Sequence, residues 1–339
     1  MSGAAIFIPV FYTLLQLLFL LALGYFLVKA RGWEYNFFRQ LGKFIVKVSL
    51  PIYFFVRISK TNLYDVKRGL ILPLTAIILT AIGLIASTIL FHFMQLTKNE
   101  KRAAIGMSSF GNSGYMPLTL IEIFPFTLPI IAEKFNVQIS SLYVGLYLLV
   151  QSPLLWSVGN FLVKGSSEKI KLRDFISPPL VGISLGLLTV FLGLQKILFD
   201  PKLPLLHIYK ALDRISAVTL PMIMLSLGAM IANLSYSAQN RKKLVKLAAS
   251  VSGIRFLLYP SIFFISYFLF LKKLIHDPIM IWVIFLEMHI PPATNLSVMA
   301  IQAGTNEDSV SFTLLFTYIG YLILLPLYLF LFLNLPGIL

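Results

Sequence analysis

The sequence predicts an all-α membrane protein of ten transmembrane helices arranged as two inverted five-helix repeats. Three observations carry this: apolar blocks of membrane-spanning length, a scarcity of charge, and landmarks that recur in the same order in both halves. Of 339 residues, 58% are hydrophobic and only 12% charged, and the mean hydropathy is +0.88. A soluble domain keeps about a quarter of its residues charged. Here the apolar residues come in blocks of about twenty, enough to cross roughly 30 Å of hydrocarbon at about 1.5 Å per helical residue.

The first block, 6–28, lacks a basic stretch before it and a small-residue cleavage pattern after it, so it reads as a retained helix rather than a removed signal peptide. Next come 41–57 with Pro51, 70–94 with Pro73, 103–124 interrupted at 111–117, and 139–163 with Pro153. These make the first repeat, 1–163. A short basic linker, 164–175, leads to the second repeat, 176–339. Its blocks are 176–196, 213–234 with Pro221, 245–271 with Pro260, 280–302 interrupted at 291–292, and 309–333 with Pro326.

The net charge of +15 does not mark a nucleic-acid binder. Lys and Arg flank the apolar blocks, where they anchor and orient spans, and no basic run is interleaved with aromatics. Loops on one side hold 15 Lys and Arg against 11 on the other, which places both termini outside by the positive-inside rule. The resulting expectation is an integral protein of the plasma membrane. Cysteine is absent, so disulfides and thiolate metal sites are excluded.

The halves repeat at a steady offset. Val48-Ser49-Leu50-Pro51 returns as Val218-Thr219-Leu220-Pro221, Arg68 and Pro73 as Arg255 and Pro260, and Tyr147 and Pro153 as Tyr321 and Pro326. Five spans is an odd number, so the second copy enters the bilayer in the opposite sense, as in many secondary transporters.

The fourth landmark carries chemistry. Gly111-Asn112-Ser113-Gly114-Tyr115-Met116-Pro117 interrupts the fourth span, and Pro291-Pro292-Ala293-Thr294-Asn295 the ninth. Proline lacks an N–H and strikes the carbonyl four residues back, so Pro117 frees the carbonyl of Ser113, and Pro291 and Pro292 those of Glu287 and Met288. Unsatisfied groups in hydrocarbon cost several kcal/mol each. Each break also starts a half-helix whose bare amides and positive dipole end suit a carboxylate. For one span alone, a proline kink with Gly and Ser for close packing is the alternative; matched breaks in both halves favour a site.

These residues resemble the auxin efflux carriers, a family with PIN and PIN-like plant members and bacterial organic-acid transporters. The stretch from Asn112 to Leu118 resembles the family's N-x-G-x-x-P-L, and Pro291-Pro292-Ala293-Thr294-Asn295 its P-P-A-x-N. Gly304 to Glu307 and Phe316-Thr317-Tyr318 also match the PIN-like pattern. The resemblance implies ten helices in an inverted arrangement. Helices 1, 2, 6 and 7 would form a scaffold through which a homodimer assembles, and helices 3–5 and 8–10 a transport domain. The broken helices would cross beside the substrate and move as an elevator. Asn112 and Asn295 would contact the substrate carboxylate or brace the crossing, while Pro117, Pro291 and Pro292 set the breaks. The 164–175 linker is too short for the regulatory loop of the long-loop plant members, and auxin itself is not implied.

Binding is therefore assigned to Asn112, Ser113, Gly114, Tyr115, Pro117, Pro291, Pro292 and Asn295. Glu287, His289 and Glu122 are candidates for coupling, because an ionisable group at membrane depth is costly. A carboxylate bonded to backbone, and a satisfied interior histidine, are the plainer accounts of Glu287 and His289. Lys47 and Arg255 read as snorkelling residues near helix ends, unless the eighth helix begins near Lys246, which would bury Arg255 and make it an anion counter-charge. Gln151, Tyr115 and Tyr318 read as packing first and cavity lining second. No cofactor or metal cluster is implied, and the coupling ion, proton or sodium, is left open. The function read here is secondary transport of small organic anions. The alternatives are a channel, an intramembrane sensor, or a membrane enzyme; the enzyme lacks a Gly-x-Ser-x-Gly elbow, paired aspartates or a His-Glu-x-x-His motif.

Overall fold

The computed structural model describes residues 3–127, 134–164, 176–233 and 241–338, and the elements among them are helices. In order they are α1 (Gly3–Lys29), α2 (35–59), α3 (Leu63–His92), α4 (Lys98–Ser109), α5 (Met116–Thr127), α6 (Val137–Lys164), α7 (Pro178–Phe191), α8 (Leu205–Asn233), α9 (Arg241–Leu274), α10 (Pro278–Met288), α11 (Asn295–Ala303) and α12 (Glu307–Leu333). Among the described residues, five of these are apolar and long enough to cross a membrane: α3, α6, α8, α9 and α12. Lys169, Lys171 and Arg173 of the expected basic linker lie outside the described residues.

Two helices start earlier than their apolar blocks. The block at 213–234 belongs to a helix that begins at Leu205, and the block at 245–271 to one that begins at Arg241. Charged residues in the opening parts of both helices meet partners elsewhere in the fold. Asp213 pairs with Lys60 at 3.2 Å, and Lys243 with Glu100 at 2.8 Å. Glu100 also closes a capping box with Thr97 at the start of α4, satisfying two amides that open every helix.

Prolines inside the spans leave carbonyls that side chains recover. Pro260 cannot donate to the carbonyl of Phe256, and the Tyr328 hydroxyl donates to it instead. The preceding turn, Ile254–Leu258, is widened into a π-helical turn that contains Arg255, a distortion common at functional positions.

Helices α1, α2, α7 and α8 pack on one another through glycines that let backbones touch. A Cβ at Gly228 would lie 2.0 Å from the Leu21 carbonyl oxygen, one at Gly24 2.1 Å from that of Leu225, and one at Gly182 2.0 Å from that of Pro51. Where α2 meets α8, the hydroxyls of Ser49 and Thr219 are 2.5 Å apart. Small residues at such seams replace the hydrophobic drive that lipid cannot supply.

Gly228→Ala is expected to force α1 from α8 and lower the thermal midpoint in detergent by the equivalent of about 1–3 kcal/mol. Gly253→Ala, where an added Cβ meets nothing within 4 Å, is the matched control and should leave the midpoint unchanged or slightly raised, as read by intrinsic fluorescence.

Candidate functional site at the helix crossing

The fourth span is divided into α4 and α5, the ninth into α10 and α11, and the two unwound stretches meet. The Asn112 amide donates to the Pro291 carbonyl at 2.9 Å, and the Ala293 amide to the Phe110 carbonyl, also at 2.9 Å. Gly111 and Pro292 face each other between these bonds as an isolated antiparallel bridge. That position of an antiparallel pair exchanges no hydrogen bond of its own, so the missing N–H of Pro292 costs nothing there.

The breaks fall differently from the proline arithmetic. α4 ends at Ser109, and α5 restarts at Met116 with Pro117 second in line. Proline is tolerated in a first turn, so Pro117 opens α5, and Ser113 belongs to the unwound stretch rather than to a helix with a displaced carbonyl. In the ninth span the helix has already ended at Met288 before either proline.

Arg255 corrects the snorkelling assignment. With α9 starting at Arg241, it lies fourteen residues, or about 21 Å, along the helix, and is 2% exposed. Its Nε and one terminal nitrogen donate to the Ile290 carbonyl at 2.9 and 2.8 Å, and the other reaches the Ser108 carbonyl at 3.4 Å. The guanidinium carbon sits 4.9 Å above the Tyr259 ring. One cation thus serves the C-terminal ends of α4 and α10, where helix dipoles are negative. Arg68, its partner in the repeat, instead lies 38% exposed and pairs with Asp277 at 2.9 Å, so these two arginines occupy different depths. Lys47 is exposed, as expected of a residue at the rim.

Beside the bridge is a cavity of about 40 Å³, lined by Asn112, Ser113, Gly114, Tyr115 and Asn295 of the expected site. Its remaining wall comes from α2 (Val46, Leu50), α6 (Leu148, Gln151, Ser152, Leu155, Trp156) and α7 (Pro179), with Gly111 and Ala293 from the breaks. This volume holds a water or two. The Asn112 side-chain amide donates to the Tyr318 hydroxyl, which donates onward to the Pro292 carbonyl at 3.4 Å. Because an amide carries two N–H groups, Asn112 keeps one for an occupant. The Asn295 side chain, half-buried at the start of α11, has no hydrogen bond among the described residues. Gln151 is 3% exposed and accepts from Thr80 at 2.8 Å, which leaves its N–H groups toward the cavity.

The coupling candidates separate. Glu287 is 3% exposed, and neither carboxylate oxygen has a hydrogen-bond partner; Ser113 and Arg255 are the groups that act on it. His289 donates from Nδ1 to the Phe285 carbonyl at 2.6 Å and is walled by the rings of Phe285, Tyr328, Phe263 and Phe264, while its Nε2 is buried without a hydrogen-bond partner, so it is only half the satisfied histidine of the plainer account. Glu122 lies away from the crossing. It accepts from Arg57 at 2.5 Å and from Tyr53 at 2.9 Å, tying α5 to α2.

Sequence reasoning undervalued Arg255, Gln151 and Tyr318. The usable signal was the same for each: a polar group within a span and far from either end. Gly111 is bound up with Arg255, since a Cβ there would lie 2.1 Å from a guanidinium nitrogen and 2.8 Å from the Ile290 side chain. Gly111→Ala and Arg255→Lys are each expected to destabilise the protein by about 1–3 kcal/mol, the second because an ammonium cannot fork onto two carbonyls. Gly114→Ala, with nothing nearer than 4.0 Å, should be neutral in the same thermal-shift assay.

A model of the family described as membrane transport protein matches residues 9–329. The chain is also similar to Protein PIN-LIKES 1 of Arabidopsis thaliana, 23% identical over 332 residues, covering 83% of this chain and 69% of that protein. A match over nearly the whole chain, with the two interrupted spans meeting at the motifs that carry the resemblance, gives the family: the chain belongs to the membrane transport proteins of the auxin efflux carrier type.

Proposed function

We propose that this membrane transporter carries small organic anions by alternating access, with the substrate carboxylate bound at the helix crossing. The observation that carries the proposal is the small cavity at the crossing, lined by Asn112 from the stretch before α5, Asn295 at the start of α11 and Gln151 of α6. Two half-helix N-termini, amide donors and a nearby guanidinium together favour negative charge.

The inverted repeat is supported by contacts between equivalent residues. Ser49 touches Thr219, and Gly111 pairs with Pro292. A twofold axis brings a residue against its own equivalent only where the axis passes, so one axis through both points accounts for them. Ten spans in two inverted halves follow, with α1, α2, α7 and α8 as scaffold and the remaining helices as transport domain. The cavity wall draws on both groups, as an elevator requires: moving the crossing past α2 and α7 would expose it to either side. The homodimer would form through the scaffold, and the charge bias of the loops puts both termini outside the plasma membrane.

Asn112→Ala and Asn295→Ala should each reduce counterflow of mono- or dicarboxylates in proteoliposomes at least tenfold, the loss of about 1.4 kcal/mol or more of binding, with folding and insertion intact. Wild-type counterflow by both variants would defeat the site.

A further inference from the structure

We propose that Glu287 is a proton-carrying site, so that each anion crosses together with one proton. This rests on the anion-carrier proposal and adds the coupling ion to it.

Glu287 lies one turn before the second break, at the end of α10, and both of its oxygens are buried without a hydrogen-bond partner. The groups facing it come from three other elements: Ser113 from the unwound stretch before α5, Tyr147 from α6, and Arg255 from α9, itself stacked on Tyr259. Only Arg255 is charged, and its hydrogen bonds go to the Ile290 and Ser108 carbonyls rather than to the carboxylate. On its own span, His289 turns away into the ring cluster of Phe285 and Tyr328. The Ser113 hydroxyl is the one neighbouring donor, and a buried carboxylate with so little hydrogen bonding is costly to keep ionised in hydrocarbon, so here the group holds a proton. Glu122 does not compete for this role, because Arg57 and Tyr53 already satisfy it.

The coupling follows from charge balance. Ser113 lines the cavity and also neighbours Glu287, so an ionised Glu287 would repel an anion at the cavity. Anion binding therefore favours the protonated carboxyl. When the crossing opens to water, the carboxyl ionises and gives its proton to that side as the anion leaves. The proton is taken up from the side where the next anion enters. Arg255 keeps its charge throughout, held by the carbonyls, so the proton is what travels with the anion.

Glu287→Gln keeps the shape of the protonated acid and removes the exchangeable proton. Two measurements on the full-length protein test the proposal. The first is infrared absorption of the purified protein at neutral pH: a carboxylic-acid carbonyl band should be present and absent from E287Q. The second is uptake of radiolabelled succinate and indole-3-acetate into proteoliposomes at zero membrane potential, with protein-free vesicles subtracted. One-to-one coupling sustains about tenfold accumulation per unit of inward pH gradient. E287Q should equilibrate these anions without accumulating them. The proposal is overturned if no band depends on Glu287, or if E287Q still accumulates anion in response to the gradient. Absence of counterflow by the wild type for either anion would sink the carrier proposal instead, and the infrared band would then decide the protonation of Glu287 by itself.

Discussion

The crossing depends on the guanidinium of Arg255, which lies among backbone carbonyls rather than opposite a carboxylate. Breaking two helices inside a bilayer leaves carbonyls that water cannot reach, each costing about 1–3 kcal/mol if unpaired. Five of them have named partners. The Phe110 and Pro291 carbonyls take the two bridge amides, Ile290 and Ser108 take Arg255, and Pro292 takes Tyr318. The cation also gains from the negative ends of α4 and α10. Gly111 is required because any side chain there would occupy the space of the guanidinium.

From that arrangement the chemistry of the site follows. If the negative helix ends face Arg255, the positive ends of α5 and α11 face the opposite way, toward the cavity lined by Asn112 and Asn295. One crossing therefore holds a fixed cation on one side and, in the proposal, offers amides to an anion on the other. The cavity wall from α2 and α7 closes the space, and the Glu122–Arg57 pair ties α5 to α2 some two turns from the break. That pair joins helices that would have to separate if the transport domain moves.

Much of this was legible in the sequence, for physical reasons that can be stated. Glycine and proline clusters at 111–117 and 291–292 cannot continue a helix in any context, so the breaks could be read directly. Of the eight residues assigned to binding, Asn112, Ser113, Gly114, Tyr115 and Asn295 line one cavity, whereas Pro117, Pro291 and Pro292 do not. What could not be read was the depth of charged residues. Apolar periodicity marks where a span is greasy, not where its helix begins, and α9 gains four residues from charged turns that find partners. Those four residues decide whether Arg255 sits at the rim or at the crossing. Gln151 and Tyr318 were equally opaque, because a polar group on a helix shows its partner only once the neighbouring helix is in place.

The central claim is that the crossing binds a carboxylate at the starts of α5 and α11 while Arg255 stays on its carbonyls. Cryo-electron microscopy of the protein with bound indole-3-acetate or succinate tests this most directly. The account predicts carboxylate density between Asn112 and Asn295, with the guanidinium still on Ile290 and Ser108. Density for the anion paired with a displaced Arg255, or bound away from both half-helix starts, would contradict it.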